Sequence, residues 1–246
     1  MATTQHPQTT PSNLTWNVEV DREIRPHIVL RVSYLSSRTR DQFVVDPVAP
    51  PVSEIPTLLL SHNGSSRYAE FETALRFHYS EDSEWNIAYV HSRARGDLNS
   101  IDQVYVPFEQ PVIRPDVYSY LPSDVPNRLI TWGVVKTHFW GLIASPVIDW
   151  HTGFPYSFFD VLQNYSGEAN SRRFPRFFSL DLKLAKEFRL PLPYLKNHRL
   201  VGSLTIFNIT NQANPRDVYN NIASPYFQQY VGFQHRFLGT ELDVVY

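Results

Sequence analysis

The sequence predicts an all-β chain, part of an antiparallel, up-and-down transmembrane β-barrel with long extracellular loops and short periplasmic turns. Three observations carry this. About nine segments alternate apolar and polar residues with period 2. The connections between them alternate long and short, as they do in outer-membrane barrels. The chain also closes on an amphipathic strand whose last residue is aromatic. Composition agrees: 14% of the 246 residues are aromatic, and 19 prolines against 9 glycines point to strands joined by proline-stiffened loops.

Residues 1–13 are polar and uncharged apart from His6, and read as a disordered leader ahead of a barrel portion at 14–246. In 14–24, Leu14, Trp16, Val18 and Val20 share one face, with Thr15, Asn17, Glu19 and Asp21 on the other. In 27–36 the apolar set is Ile28, Leu30, Val32 and Tyr34. In 67–80, Phe71, Leu75, Phe77 and Tyr79 oppose Glu70, Glu72, Arg76 and His78; in 84–92, Trp85, Ile87 and Tyr89 are in phase. Residues 127–138 and 141–151 carry strand-forming residues with poor alternation, and Pro146 argues against a central strand because it lacks a ladder donor. In 177–188, Phe178, Leu180, Leu182 and Leu184 oppose Ser179, Asp181 and Lys183. Lys186 falls on the apolar face, near enough to a turn for its stem to snorkel. Residues 197–208 keep Leu200, Leu204 and Ile206 in phase, and the last strand sets Leu238, Leu242, Val244 and Tyr246 against Glu241 and Asp243.

The long connections are 38–66, 96–126, 152–176 and 209–232; the short ones are 25–26, 81–83, 139–140 and 189–196. Loops beyond about 12–15 residues are uncommon in compact domains, and here all four fall at one end of the sheet. A β-sandwich also alternates, so a secreted carbohydrate-binding sandwich is the competing reading. A third is a small adhesin-like barrel closed by several copies. Trp132, Trp140 and Trp150 lie near strand ends, as interface belts require.

A net charge of −2 offers no basis for nucleic-acid binding. The absence of cysteine removes disulfides and thiolate metal sites. No apolar run is long enough for a membrane-spanning helix, and the first thirty residues lack the pattern of a signal peptide. The nine histidines form no metal-ligand spacing, and His78 beside Glu70 and Glu72 reads as a solvated polar wall. GDLNSID (96–102) offers Asp97, Asn99 and Asp102 but lacks the internal Gly and final Glu of a calcium loop. No nucleophile, phosphate-loop or dinucleotide motif occurs, so neither catalysis nor a cofactor is expected. Asn208, Asn211 and Asn214 read as turn residues.

The runs DVPNRLITWGVVKTHFWGLIASPVIDWHTGFPYS (124–157), RRFPRFFSLDLKLAKEFRLP (172–191) and FNITNQANPRDVYNNIASP (207–225), with the terminal strand, resemble the C-terminal barrel of Oar-like TonB-dependent outer-membrane receptors of acidobacterial type. SRYAEFETALRFHYS (66–80) and IAYVHSRARGDLNS (87–100) fit the same pattern. The resemblance implies a barrel of about 22 strands around a plug, so that nine strands are a fragment. It implies bilayer lipid and the barrel-assembly machinery as partners, the latter reading Leu242, Val244 and Tyr246. It implies that TonB is engaged only through a plug outside this chain. Glu70, Glu72, Arg76, Asp181, Lys183, Glu241 and Asp243 are then the lumen-facing residues.

Overall fold

The computed structural model describes residues 2–3, 10–48, 57–80, 83–100, 113–137, 139–189 and 199–245. Nine strands follow one another in a single sheet, in chain order: β1 Ser12–Arg25, β2 Ile28–Val48, β3 Thr57–Ser80, β4 Ser83–Asp97, β5 Asn127–Lys136, β6 Leu142–His151, β7 Phe177–Arg189, β8 Arg199–Phe207 and β9 Phe237–Val245. Every neighbouring pair on this path is antiparallel. The path is open, with β1 and β9 at its two edges. Ser12 and Asn13, at the end of the leader, open β1, and Ala2–Thr3 lies parallel beside Leu59–Leu60 of β3.

The register sorts the side chains cleanly. One face runs through Val18↔Tyr34, Tyr34↔Phe71, Leu75↔Ile87, Leu129↔Trp150, Trp150↔Phe178, Leu184↔Leu204 and Leu200↔Val244. The other runs through Asp21↔Arg31, Ser33↔Glu72, Arg76↔Asn86, Val90↔Arg128, Asp149↔Ser179 and Ser203↔Glu241. The apolar face has no second layer over it: Leu14, Val20, Tyr79, Leu238 and Leu242 are each at least 59% exposed. Among the described residues the buried apolar set is small, namely Val44, Ala88, Ala94, Ala169 and Val218. A sandwich buries one face of each of two sheets against the other. One continuous sheet with a bare apolar face does not fit that architecture.

Three sequence expectations are corrected here. Residues 38–66 are mostly strand, because pairing between β2 and β3 continues to Val48↔Thr57. Strands of 21 and 24 residues, at about 3.3 Å per residue, reach roughly 70 and 80 Å, far beyond a hydrocarbon core of about 30 Å. Past such a core both faces meet water, so the alternation that marks a strand fades even though the ladder continues. Asp41, at φ 56°, is the extra residue of a bulge between Arg40↔Ser65 and Gln42↔Gly64.

Pro146 does sit in a central strand. Its register partner on β5 is Gly133, where pairs are missing between Trp132↔Val147 and Val135↔Ala144, so the absent donor falls where the ladder is already interrupted. A Cβ at Gly133 would overlap the Trp85 ring, which crosses it on the apolar face. Trp132 is the third correction. It pairs with Asn86 and Val147 and therefore lies on the charged face, leaving Trp150 on the apolar face and Trp140 in a turn.

The described short turns have specific chemistry. Pro26-His27, with His27 at φ 70°, suits a type II turn. Trp140 and Gly141, at φ 55° and 64°, occupy the central positions of a turn closed by Leu142 N–H donating to Phe139 O at 3.1 Å. Trp140 stacks on Phe139, and the Lys186 ammonium lies 5.8 Å from its ring, consistent with the snorkelling expected for that lysine. The connections 81–82 and 190–198, like 49–56, lie outside the described residues.

Candidate ligand-binding site

At the end opposite these turns, the connections between β4 and β5, β6 and β7, and β8 and β9 fold over the strand ends. A buried polar network fastens them. The Asp124 carboxylate, fully inaccessible, accepts from Ala94 N–H at 2.5 Å and pairs with Arg173. Arg173 also donates to the carbonyls of Asp124 and Gly153, each at 3.1 Å. Asn170 donates to Tyr120 O at 2.6 Å and exchanges hydrogen bonds with Ser157, while Ser119 donates to Ala169 O at 2.5 Å. Gly153 lies flat against Phe174, whose carbonyl any Cβ would overlap. The loops after β4 and β6 are thus one packed unit, joined by groups that desolvation makes costly to leave unpaired.

Of the asparagines after β8, Asn208 and Asn211 take the turn role expected of them, whereas Asn214 bonds a distant strand instead. Asn208 and Asn211 adopt φ 50° and 54°. Buried Asn208 accepts from Gln212 N–H at 3.0 Å and donates to Gln212 O at 2.7 Å. The Asn214 amide accepts from Phe178 N–H at 3.2 Å and donates to Phe178 O at 2.8 Å, extending the β7 edge as a strand residue would.

Two cavities open beneath these loops and adjoin at His151 and Phe154, which line both. One, of about 320 Å³, is walled by Phe174, Pro175, Phe177 and Pro215, with Arg216 and Gln234 at its edge. The other, of about 390 Å³, is lined by Tyr68, Glu70, Ser92, Ser123 and Arg128. His151 stacks on Phe177 at 4.7 Å and meets Phe154 edge-on at 5.3 Å. Its Nδ1 lies 2.8 Å from Thr152 O; a carbonyl only accepts, so Nδ1 carries the proton and Nε2 is the acceptor of the neutral ring. Further aromatic contacts stiffen the rim: Arg114 sits 4.1 Å over Phe159, and Tyr156 packs against Phe174. Burial pushes the Tyr156 phenol up to about 12, so it is a neutral donor throughout the physiological range.

The residues expected to line a lumen all lie on the charged face, but not in one site. Glu70 lines the mouth cavity. Glu72 and Arg76 border a lower cleft with Asp21, Arg31 and Trp132. Asp181 accepts from Asn208 N–H at 2.8 Å and from the Ser179 hydroxyl at 2.6 Å, which anchors the outer end of β8. Lys183 and Glu241 pair at 2.7 Å, and Asp243 lies two positions further along that face of β9. Leu242 and Val244 are exposed on the apolar face; Tyr246 lies outside the described residues. His78 approaches Glu84 at 3.8 Å, and no metal-holding group occurs among the described residues. Asp97 accepts from Ser65 N–H at 2.5 Å and Asp116 from Asn99 N–H at 2.9 Å, so the 96–102 segment is tied to the β2–β3 hairpin; Asp102 is outside the described residues. The sequence reading missed Asp124, Arg173, Gly153, His151, Phe154 and Arg216.

The fold is similar to that of a solved structure, the outer membrane transporter YddB from Escherichia coli, with a TM-score of 0.61 over 96% of this chain. The fold is that of an outer-membrane barrel wall. Sequence identity is 13%, and this chain spans 32% of the transporter. No family model and no curated protein matches the chain. The sheet is open, as a part of a barrel wall would be.

Proposed function

We propose that this chain is the C-terminal barrel portion of a TonB-dependent outer-membrane receptor of the Oar-like type, supplying wall, extracellular loops and assembly signal. The observation that carries this is the two-sided sheet: a bare apolar face beside a charged one. Lipid satisfies the first and a hydrated lumen the second. Remaining strands complete the hydrogen bonds of β1 and β9, which a bilayer does not leave open. Ligand binds the looped end, and a plug outside this chain couples transport to TonB. The assembly machinery reads Leu242, Val244 and Tyr246 on the final strand. No catalytic step is assigned to the chain.

The test is outer-membrane fractionation with surface proteolysis. Epitopes in the 152–176 loop should be cleaved on intact cells, whereas epitopes at the 139–141 turn should need permeabilised cells. Recovery of a monodisperse protein from detergent-free buffer would overturn the proposal.

A further inference from the structure

We propose that the cleft under the loops is a peptide site, binding a short peptide with free termini: its amine at Glu70, its carboxylate at Arg216, and an apolar side chain between them against Phe154 and Phe177. The inference rests on the receptor reading and names the ligand class of its looped end.

Charge at the two ends of the cleft carries it. Of the charged groups that line the two cavities, Arg128 is neutralised locally by Asp149. Glu70 and Arg216 are not. Glu70 accepts from the Tyr68 hydroxyl at 2.5 Å and Arg216 donates to Gln234 Oε1 at 3.0 Å, both neutral partners; among the described residues neither has an ion-pair partner. Glu70 lines one of the two adjoining cavities and Arg216 the other, and the aromatic residues His151 and Phe154 line both. An anion at one end and a cation at the other, with stacked rings between, match a zwitterion with an apolar middle. A neutral oligosaccharide would use the rings and leave both charges unanswered.

The register sets the length. Glu70 lies on β3, and Asn214, two residues before Arg216, is hydrogen-bonded to the Phe178 backbone of β7, so the two charges stand about four strand spacings apart. At about 4.8 Å each this is roughly 19 Å. An extended chain advances about 3.3–3.6 Å per residue, so about five residues bridge the two charges.

The test measures equilibrium binding of radiolabelled Ala-Ala-Phe-Ala-Ala, its N-acetylated form and its C-amidated form to outer-membrane vesicles carrying the protein. Each blocked end should weaken binding about tenfold or more, the loss expected for one charge-assisted hydrogen bond. Glu70→Gln should erase only the distinction between free and acetylated peptide, and Arg216→Gln only that between free and amidated peptide. Equal binding of all three peptides, no binding, or equally tight binding of maltopentaose overturns the peptide assignment. Heat-modifiable mobility of the same vesicle protein reports the barrel separately. Failed binding with that signature intact sinks the ligand class alone, whereas end discrimination by a protein found outside the membrane sinks the receptor reading.

Discussion

Replacing Asp124 with Ala should release the outer loops while the sheet beneath them stays intact. Asp124 is inaccessible to solvent and its carboxylate joins Ala94 of β4 to Arg173 of the β6–β7 connection. Its removal orphans the Ala94 N–H, at about 1–3 kcal/mol, and breaks a buried ion pair, for which about 3–5 kcal/mol is usual. These are one event seen from two sides and do not add. Arg173 keeps the Asp124 and Gly153 carbonyls and retains some contact with solvent, which favours the low end, about 3 kcal/mol. That is roughly a hundredfold in the opening equilibrium. Amide hydrogen exchange in detergent-folded protein reads it directly: exchange at 118–124 and 153–174 should accelerate by about two orders of magnitude, with β7 to β9 unaffected. Asp124→Asn keeps an acceptor for Ala94 and should fall between. Lys183→Ala removes an exposed, solvent-screened pair and should leave loop exchange nearly unchanged. If Asp124→Ala accelerates loop exchange no more than Lys183→Ala does, the buried network does not hold the loops.

Other consequences are equally direct. Gly153→Ala should loosen the same loops by about 2 kcal/mol or more, since the Phe174 carbonyl must retreat; unchanged protease resistance of 152–176 would refute it. Leu204→Arg on the apolar face, midway along β8, should cost about 2–4 kcal/mol of membrane stability, whereas Ser203→Arg, one residue along on the charged face, should cost little; urea titration in lipid vesicles separates them. Asp116 has its carboxyl raised above the usual carboxylate range by burial, with Asp97 and Asp46 beside it. The folded loop therefore binds a proton more readily than the unfolded chain, and loop stability falls as pH rises from about 4 through the raised value. Asp116→Asn should abolish that dependence; an unchanged pH profile of loop exchange in this variant would refute the assignment.

The strands were legible because their two sides face different surroundings. From Leu14 to Val20, and again from Phe178 to Leu184, every second residue declares the apolar side, and the structure pairs them in that phase. Legibility ended where that contrast ended. Beyond Arg38 and before Ser66 the hairpin continues with apolar residues at consecutive positions, Phe43-Val44-Val45 and Leu58-Leu59-Leu60, so both faces carry them and the period-2 contrast is lost. Trp132 misled because a large aromatic normally marks the apolar side; only the partners Asn86 and Val147 reveal its face. The mouth cleft was invisible for a different reason. Glu70, His151, Phe177 and Arg216 come from four separate stretches brought together by strand pairing and an asparagine-built turn. No spacing within the chain encodes their proximity.

The count of strands has a consequence of its own. Eight successive reversals leave β1 and β9 pointing the same way. The path of nine described strands cannot close on itself as an antiparallel ring, and copies of it in one orientation would meet parallel at every seam. Rings of identical chains are thereby disfavoured by direction alone, whatever their side chains. Antiparallel closure of this path demands an odd number of further strands, which makes the total even as in bacterial outer-membrane barrels.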